Sequence, residues 1–306
     1  YDPARSNLSK YDLLPQEEGW FPEKIGEEVD LVIIGKHAHQ DNPEYLKANH
    51  LGLKIQSFPE FVFERSLDKK RIVIAGSHGK TTTTSILMDI FKSAGREYDY
   101  LVGAKLNNYD RSFKLTASSP YILIEGDEYP TSSFDTRPKF IHYKPHYTII
   151  TGIAWDHMNA FPTEKIYLQQ FNNYLRDLDE GTKVVFNNKD ERLKELVQHF
   201  KHIESIPYSC LDYEIRDGVF NLWYKNQSIP LKVMGRHNVQ NISAAVTLCE
   251  HLNIKSEAIS DALSDYLGAS KRLEIVVKKD DRMGVFDFAH APSKVKASIE
   301  AIKQTY

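Results

Sequence analysis

Four short stretches of the sequence carry residue types and spacings able to do chemistry. The first is Ile72-Val73-Ile74-Ala75-Gly76-Ser77-His78-Gly79-Lys80-Thr81-Thr82-Thr83-Thr84, where an apolar run meets a Gly-bounded turn and then Gly-Lys-Thr. Backbone N–H groups in such a turn, with the N-terminus of the helix it opens, cradle phosphate oxygens. Lys80 would reach the terminal phosphates of a nucleotide, and the Thr81 hydroxyl would ligate Mg2+. Gly76, Ser77, His78, Gly79 and Thr82 complete the candidate loop. The general phosphate-loop spacing asks for Gly five residues before Gly79, and Ile74 stands there. A plain strand–helix turn is the alternative, but Gly-Lys-Thr between a strand and a helix favours nucleotide binding.

The second stretch, Ile122-Leu123-Ile124-Glu125-Gly126-Asp127-Glu128, sets three carboxylates at the C-terminal end of an apolar strand, where open α/β sheets place their ligands. Beside a phosphate loop, Glu125 is a natural Mg2+ ligand, because the metal needs hard oxygens. The third, Ala154-Trp155-Asp156-His157-Met158, offers a ligand, a base or a satisfied polar residue in His157. The fourth is Gly235-Arg236-His237-Asn238-Val239-Gln240-Asn241. Asn238 and Asn241, three apart at a helix start, share a face and can read an adenine edge or serve as helix caps.

The elements that must position these residues alternate between strand and helix. Strands are predicted at 71–76, 121–125, 147–151 and 183–186, and helices at 80–94, 164–178 and 191–200. Short connections make this a mostly parallel, doubly wound α/β sheet. Upstream, 31–35 reads as a strand buried on both faces, Asn42-Pro43 starts a helix ending near Gly52, and 54–57 is a short strand. The polar segment 65–70 reads as a linker. Downstream, 213–233 alternates around an Asp217-Gly218 turn, and 237–252 and 256–267 are helical. Then 271–287 reads as two strands around Asp280-Asp281, and 292–306 as a helix with nothing after it to pack against.

Composition limits the function classes. With 41% apolar residues in 306, the chain can build a sizeable core, which excludes disorder and fibrous architectures. Its 39 basic against 42 acidic residues give a net charge of -3, so no global basic field marks a dedicated nucleic-acid binder. Apolar runs such as 147–155 fall far short of a membrane span. Cys210 and Cys249 cannot form a disulfide framework, and they read as small buried hydrophobes in a reducing, cytoplasmic setting.

Together and in this order, the four stretches resemble the Mur ligase family, the ATP-dependent amide-forming ligases of bacterial cell-wall synthesis. Ser270-Lys271-Arg272-Leu273-Glu274 and Phe286-Asp287-Phe288-Ala289-His290-Ala291-Pro292 agree with the same pattern. The short phosphate loop of that family also accounts for Ile74. The resemblance implies ATP and Mg2+ as cofactors, with Lys80 on the ATP phosphates and Thr81 on one Mg2+. It implies Glu125 as a metal ligand, His157 on a second Mg2+, and Asn238 and Asn241 at the adenine. Arg272 and Asp287 would touch phosphate and ribose. Lys80, Glu125, His157 and Arg272 are then the expected catalytic residues. His290 falls in a segment where the family carries a second His and this chain has Ala291.

The same resemblance implies three domains: a partial, Rossmann-like UDP-substrate domain at 1–66, a P-loop ATPase domain at 67–269, and the start of a third α/β domain at 270–306. Chain ends without an initiator Met, and with a helix that stops abruptly, read as a piece of a longer protein. Some members carry a carbamylated lysine about fifteen residues after the Asp-His pair, and this chain has Asn172 and Asn173 there. That points to the branch that starts from UDP-N-acetylmuramate. Within it, 127–143 resembles the members that add a murein tripeptide rather than L-alanine, with Pro130 in place of an Asp and Arg137 either a carboxylate contact or a surface arginine. The expected reaction activates the muramyl carboxylate as an acyl phosphate, which the peptide amine then attacks; UDP-N-acetylmuramate–L-alanine ligation and a P-loop NTPase without ligase activity are the alternatives.

Overall fold

An uninterrupted apolar run such as Ile72-Val73-Ile74-Ala75 is stable as a strand only if both of its faces are covered. That requirement organises the protein, described here by a computed structural model over residues 19–36, 38–106, 109–158, 160–269, 272–279, 282–289 and 292–305. Two compact units form, one of Tyr1–Phe58 with Thr131–Thr136, the other of Pro59–Pro130 with Arg137–Tyr306.

In the first unit, a 3-10 turn at Pro22–Lys24 precedes strand β1 (Val32–Ile34), helix α1 (Pro43–His50) and strand β2 (Ile55–Ser57). The two strands pair in parallel, Val32 opposite Ile55. Helix α1 starts where the sequence places it: Asn42 Oδ1 accepts from the N–H groups of Glu44 (2.8 Å) and Tyr45 (3.1 Å), and Pro43 fills the first turn. Thr131–Thr136 joins this unit although it is remote in sequence. The Phe134 ring lies 4.6 Å from that of Tyr45, and the Ser133 hydroxyl donates to the Ala38 carbonyl.

The second unit begins with the short helix α2 (Phe58–Glu64). It runs β3 (Lys70–Ala75), α3 (Lys80–Ser93), β4 (Asp99–Leu101), β5 (Phe113–Lys114), β6 (Tyr121–Glu125), α4 (Lys139–His142) and β7 (Tyr147–Ile150). Then come α5 (Glu164–Arg176), β8 (Lys183–Asn187), α6 (Glu191–Gln198) and β9 (Glu204–Tyr208). Among the described residues these strands form one seven-stranded sheet in the order β5-β4-β6-β3-β7-β8-β9, parallel except for β5. Ile72 and Ile74 face a core shared with Leu87, Ile90, Val239 and Ile242, while Val73 and Ala75 face one built from Phe140, Tyr167, Phe171 and Tyr174. Strand β3 is thus buried on both sides in the middle of a mixed α/β fold.

A three-stranded antiparallel sheet follows: β10 (Tyr213–Arg216), β11 (Val219–Tyr224) and β12 (Gln227–Pro230). The predicted hairpin has one strand more than expected. Its second turn uses Lys225 and Asn226, both at positive φ (48° and 64°), which is hairpin geometry without the glycine that advertises it. Helix α7 (Arg236–His251) packs on β7, β8 and β9 of the main sheet and on α3, and helix α8 (Ser256–Asp265) packs on α3, α7 and β12. Last come the antiparallel pair β13 (Glu274–Lys279) and β14 (Arg282–Phe286) and helix α9 (Pro292–Thr305). The turn residues Asp280 and Asp281 lie outside the described residues.

One expectation is corrected here. Helix α9 does find a neighbour: Ala301 is buried, its methyl placed where a Cβ on Gly235 would come within 2.6 Å. The segment 65–70, read as a linker, holds polar side chains with buried partners. Lys69 is buried and donates to the carbonyls of Thr116 (2.7 Å) and Ser119 (3.0 Å), 3.5 Å from the fully buried Asp99 carboxylate. The neighbouring Arg71 guanidinium bonds the carbonyls of Ser66, Tyr143 and Lys144, each at 2.9 Å. Removing one partner of a buried ion pair strands the other. Lys69→Ala is therefore expected to cost about 3–5 kcal/mol, read as a lower urea midpoint with unchanged slope; a midpoint within error of wild type would refute it.

Candidate functional site

Strand β3 lies between β6 and β7, so the loops leaving the carboxyl ends of these three strands meet. Ile74 is level with Glu125 on one side and Ile149 on the other. Gly126 N–H donates to Ile74 O (2.8 Å), Thr151 N–H to Ala75 O (3.1 Å), and Ser77 N–H back to Gly152 O (2.9 Å). This is the end of the sheet at which parallel α/β folds bind ligands. Two glycines make the turn possible. Gly76 (φ 118°) has Thr151 N and Gly152 O packed where a Cβ would sit, at 2.8 and 2.9 Å. Gly79 (φ 81°) caps α3 in the left-handed region, with Asn241 Oδ1 only 2.2 Å from its would-be Cβ.

Lys80, the first residue of α3, donates to Gly76 O (2.8 Å) and ion-pairs with Glu128 Oε2 (2.6 Å). The other oxygen of Glu128 lies 2.8 Å from His157 Nε2. His157 Nδ1 is 2.9 Å from the Tyr129 hydroxyl, and its backbone is held at φ 55°. Burial alone pushes the Glu128 carboxyl up, but Lys80 and His157 together hold it below the usual carboxylate range. Of the three carboxylates legible in the sequence, Glu128 drew no assigned role, yet it is the buried one that links two candidate residues. Asp127 instead pairs with Lys139 (2.6 Å) and accepts from Tyr129 N–H (3.0 Å), which fixes the base of the loop.

Thr81 Oγ1 donates to Glu125 Oε1 (2.9 Å), whose second oxygen accepts from Gly103 N–H (2.9 Å). A hydroxyl and a carboxylate held together are the hard donors that Mg2+ takes alongside water and phosphate oxygens, so Thr81 and Glu125 fit the metal that the family resemblance implies. Among the described residues, no group of three or more His, Cys, Asp and Glu side chains is placed to hold a metal unaided. His157 is brought to Glu128 and Tyr129 rather than into such a cluster.

Asn238 and Asn241 are both buried on the first turns of α7. Asn238 Nδ2 donates to Met234 O (2.8 Å), tying the helix start to the chain before it, while Asn241 packs on Gly79. Ser77 Oγ is 2.8 Å from the Tyr167 hydroxyl, and Thr82 O takes Ser85 Oγ at 2.8 Å. Arg272 stacks over Phe288 (5.4 Å to the centroid). Asp287 accepts from Leu273 N–H (3.3 Å) and from the Ser298 hydroxyl, so the structure ties these two to their own local elements and to each other's neighbours. Arg137 is exposed. His290, Ser270 and Lys271 lie outside the described residues.

Helix α9 adds a residue that local sequence reading missed. Lys294 Nζ sits 2.8 Å from Asp156 Oδ2, whose other oxygen accepts from His157 N–H (2.7 Å). Burial and the positive charges of Lys294 and Lys80 keep the nearby His78 imidazole below its ordinary value. Burial pushes the Asp156 carboxyl up, but the Lys294 and His157 hydrogen bonds override it and hold it at about 2. A carboxyl lowered on folding adds stability above its unfolded value, near 3.8, and loses it as the pH falls toward 2. The melting-temperature gap between wild type and Lys294→Ala is thus expected to hold at neutral pH and close between about pH 4 and pH 2. A gap that persists at pH 2 would exclude this pair as its source.

Comparison with known proteins follows the same lines. Residues 74–249 match the Mur ligase middle domain. A UDP-N-acetylmuramate–L-alanyl-γ-D-glutamyl-meso-2,6-diaminoheptandioate ligase of Haemophilus influenzae is 30% identical over 90% of this chain and 62% of its own length. A UDP-N-acetylmuramate–L-alanine ligase of Carboxydothermus hydrogenoformans is 28% identical over 92% of this chain and 61% of its own. The chain therefore spans less than two thirds of either relative. The crystal structure of a UDP-N-acetylmuramate:L-alanyl-γ-D-glutamyl-meso-diaminopimelate ligase from Neisseria meningitides superposes with a TM-score of 0.76, at 25% identity and 87% coverage of both chains. With the middle-domain match alone covering more than half of its residues, and the phosphate loop, carboxylates and histidine gathered at one sheet end, the chain belongs to the Mur ligase family.

Proposed function

We propose that this protein is an ATP-dependent, ADP-forming ligase that joins the carboxylate of UDP-N-acetylmuramate to the amine of a murein tripeptide through an acyl phosphate. The observation that carries the reading is the meeting of Lys80, the Thr81–Glu125 pair and the Glu128–His157 pair at the carboxyl ends of three adjacent strands. The tripeptide is favoured by the relatives of that specificity in Haemophilus influenzae and Neisseria meningitides.

A carboxylate oxygen is a poor leaving group, so the carboxylate has to be phosphorylated before an amine can displace it. The turn from Gly76 to Gly79 presents backbone N–H groups and the start of α3 to the phosphates, and Lys80 adds a charge that follows the one being transferred. Thr81 and Glu125 would hold one Mg2+ and His157 would hold a second, and the metal would supply neutralisation of phosphate charge. Asn238 and Asn241, on the helix against Gly79, are assigned to the adenine. Arg272 and Asp287 are assigned to phosphate and ribose.

A second reading, ligation of L-alanine to the same carboxylate, is favoured by the Carboxydothermus relative. Offering L-alanine and the tripeptide side by side, with UDP-N-acetylmuramate and ATP, decides between them. The tripeptide product with equimolar ADP is expected. L-alanine product alone would select the second reading, and phosphate release independent of any muramyl substrate would make the protein an NTPase of another kind.

A further inference from the structure

We propose that Glu128 is the positioning residue of this site, a single buried carboxylate that holds the phosphate-loop lysine and His157 in register; the proposal rests on the ligase reading for the phosphate and metal it concerns. Its side chain is 1% exposed and lies 2.6 Å from Lys80 Nζ and 2.8 Å from His157 Nε2. The loop that carries it cannot drift. Asp127 is clamped by Lys139, Lys139 N–H bonds Tyr129 O (3.1 Å), and Pro130 bridges to Pro138.

The consequences differ for its two partners. A lysine has three ammonium hydrogens on a flexible stem. Gly76 O and Glu128 take two of them, which leaves the third for a phosphate. For His157, an Nε2–H facing a carboxylate makes Nδ1 the lone-pair nitrogen, which here meets the Tyr129 hydroxyl. A carboxylate behind an imidazole is the arrangement that fixes tautomer and ring orientation in metal-binding histidines. Glu128 therefore does opposite things to binding and to chemistry. Its charge repels an anion arriving at Lys80, while its hold on both partners sets the geometry that turnover needs.

That opposition gives a signature which loss of packing does not. Glu128→Gln keeps the shape and removes the charge. Its affinity for pyrophosphate in the presence of EDTA, read by calorimetry, is expected to rise about tenfold, since repulsion between charges a few ångströms apart exceeds the lost orientation. Its kcat for ligation is expected to fall about a hundredfold with no rise in the KM for ATP. Glu128→Asp keeps the charge but shortens the reach; it should lose kcat without gaining pyrophosphate affinity. In nucleotide-free protein, the nitrogen-15 pattern of the His157 ring, identified by its absence in His157→Gln, should show one Nε2–H tautomer in wild type and a mixture in Glu128→Ala. Wild-type-like pyrophosphate affinity and kcat in Glu128→Gln would overturn the proposal, as would a parallel fall of both in a folded variant. A wild-type protein that binds neither ATP nor pyrophosphate would remove the ligase reading instead, and the ring-nitrogen pattern would still decide whether Glu128 holds His157.

Discussion

Lys80→Ala is expected to push ATP binding below detection by calorimetry and to abolish ADP formation. The lysine is the one side chain of the turn that carries positive charge to the phosphates, and a charge-assisted contact of that kind is worth about 3 kcal/mol, a hundredfold or more in affinity. A second effect follows from the apo geometry. Lys80 is the 2.6 Å partner of a carboxylate that is 1% exposed, so the substitution also leaves Glu128 with His157 as its remaining hydrogen-bond partner. Stability should fall with it, by about 3 kcal/mol. The double substitution Lys80→Ala with Glu128→Ala separates the two effects: it should restore much of the lost stability and none of the ATP binding. Unchanged ATP affinity in Lys80→Ala would remove the phosphate-loop assignment, and a double variant no more stable than the single one would show that the ion pair does not set the cost.

Gly76→Ala should be as severe by a different route. A Cβ there would stand 2.4 Å from Thr151 Oγ1, 2.8 Å from Thr151 N and 2.9 Å from Gly152 O, in a backbone conformation (φ 118°) that side-chain-bearing residues avoid. Two of those three atoms are backbone of the adjacent strand end, so relief means pulling β3 away from β7 where Ser77 N–H bonds Gly152 O. Strain and overpacking together are expected to cost about 3 kcal/mol or more, seen as a melting temperature lower by several degrees and loss of ATP binding in whatever remains folded. Gly79→Ala meets mainly the movable amide of Asn241, so it should lose more binding than stability. Equal melting temperatures for Gly76→Ala and wild type would mean that the strand ends are not packed as described.

The parts of this site that the sequence announces are those whose cause is local. A strand buried on both faces must be continuously apolar, and the glycines and lysine that end it are contiguous, so the strand, turn and helix start of 71–81 are legible in one window. Glu125 is legible for the same reason, at the end of another apolar run. Strand β9 is not, because Pro207 lies inside it; proline is tolerated there only because β9 is the sheet's edge, a fact of topology. Strands β4 and β5 are three and two residues long, and β4 contains Asp99, a charge that belongs in a core only once Lys69 is beside it. The pairing of Glu128 with His157 is set by β6 and β7 flanking β3, and the reach of Lys294 to Asp156 spans 138 residues. Neither has a signature in any short window, and the membership of Thr131–Thr136 in the first unit has none either.

The most direct measurement follows an oxygen atom. With both carboxylate oxygens of UDP-N-acetylmuramate labelled with oxygen-18, and ATP and tripeptide supplied, phosphorylation of that carboxylate makes a labelled oxygen the bridge to phosphorus. Attack by the amine then breaks the carbon–oxygen bond, and the released phosphate should carry one oxygen-18 per amide bond formed. Phosphate free of label, released alongside amide product, would contradict an acyl phosphate at this site.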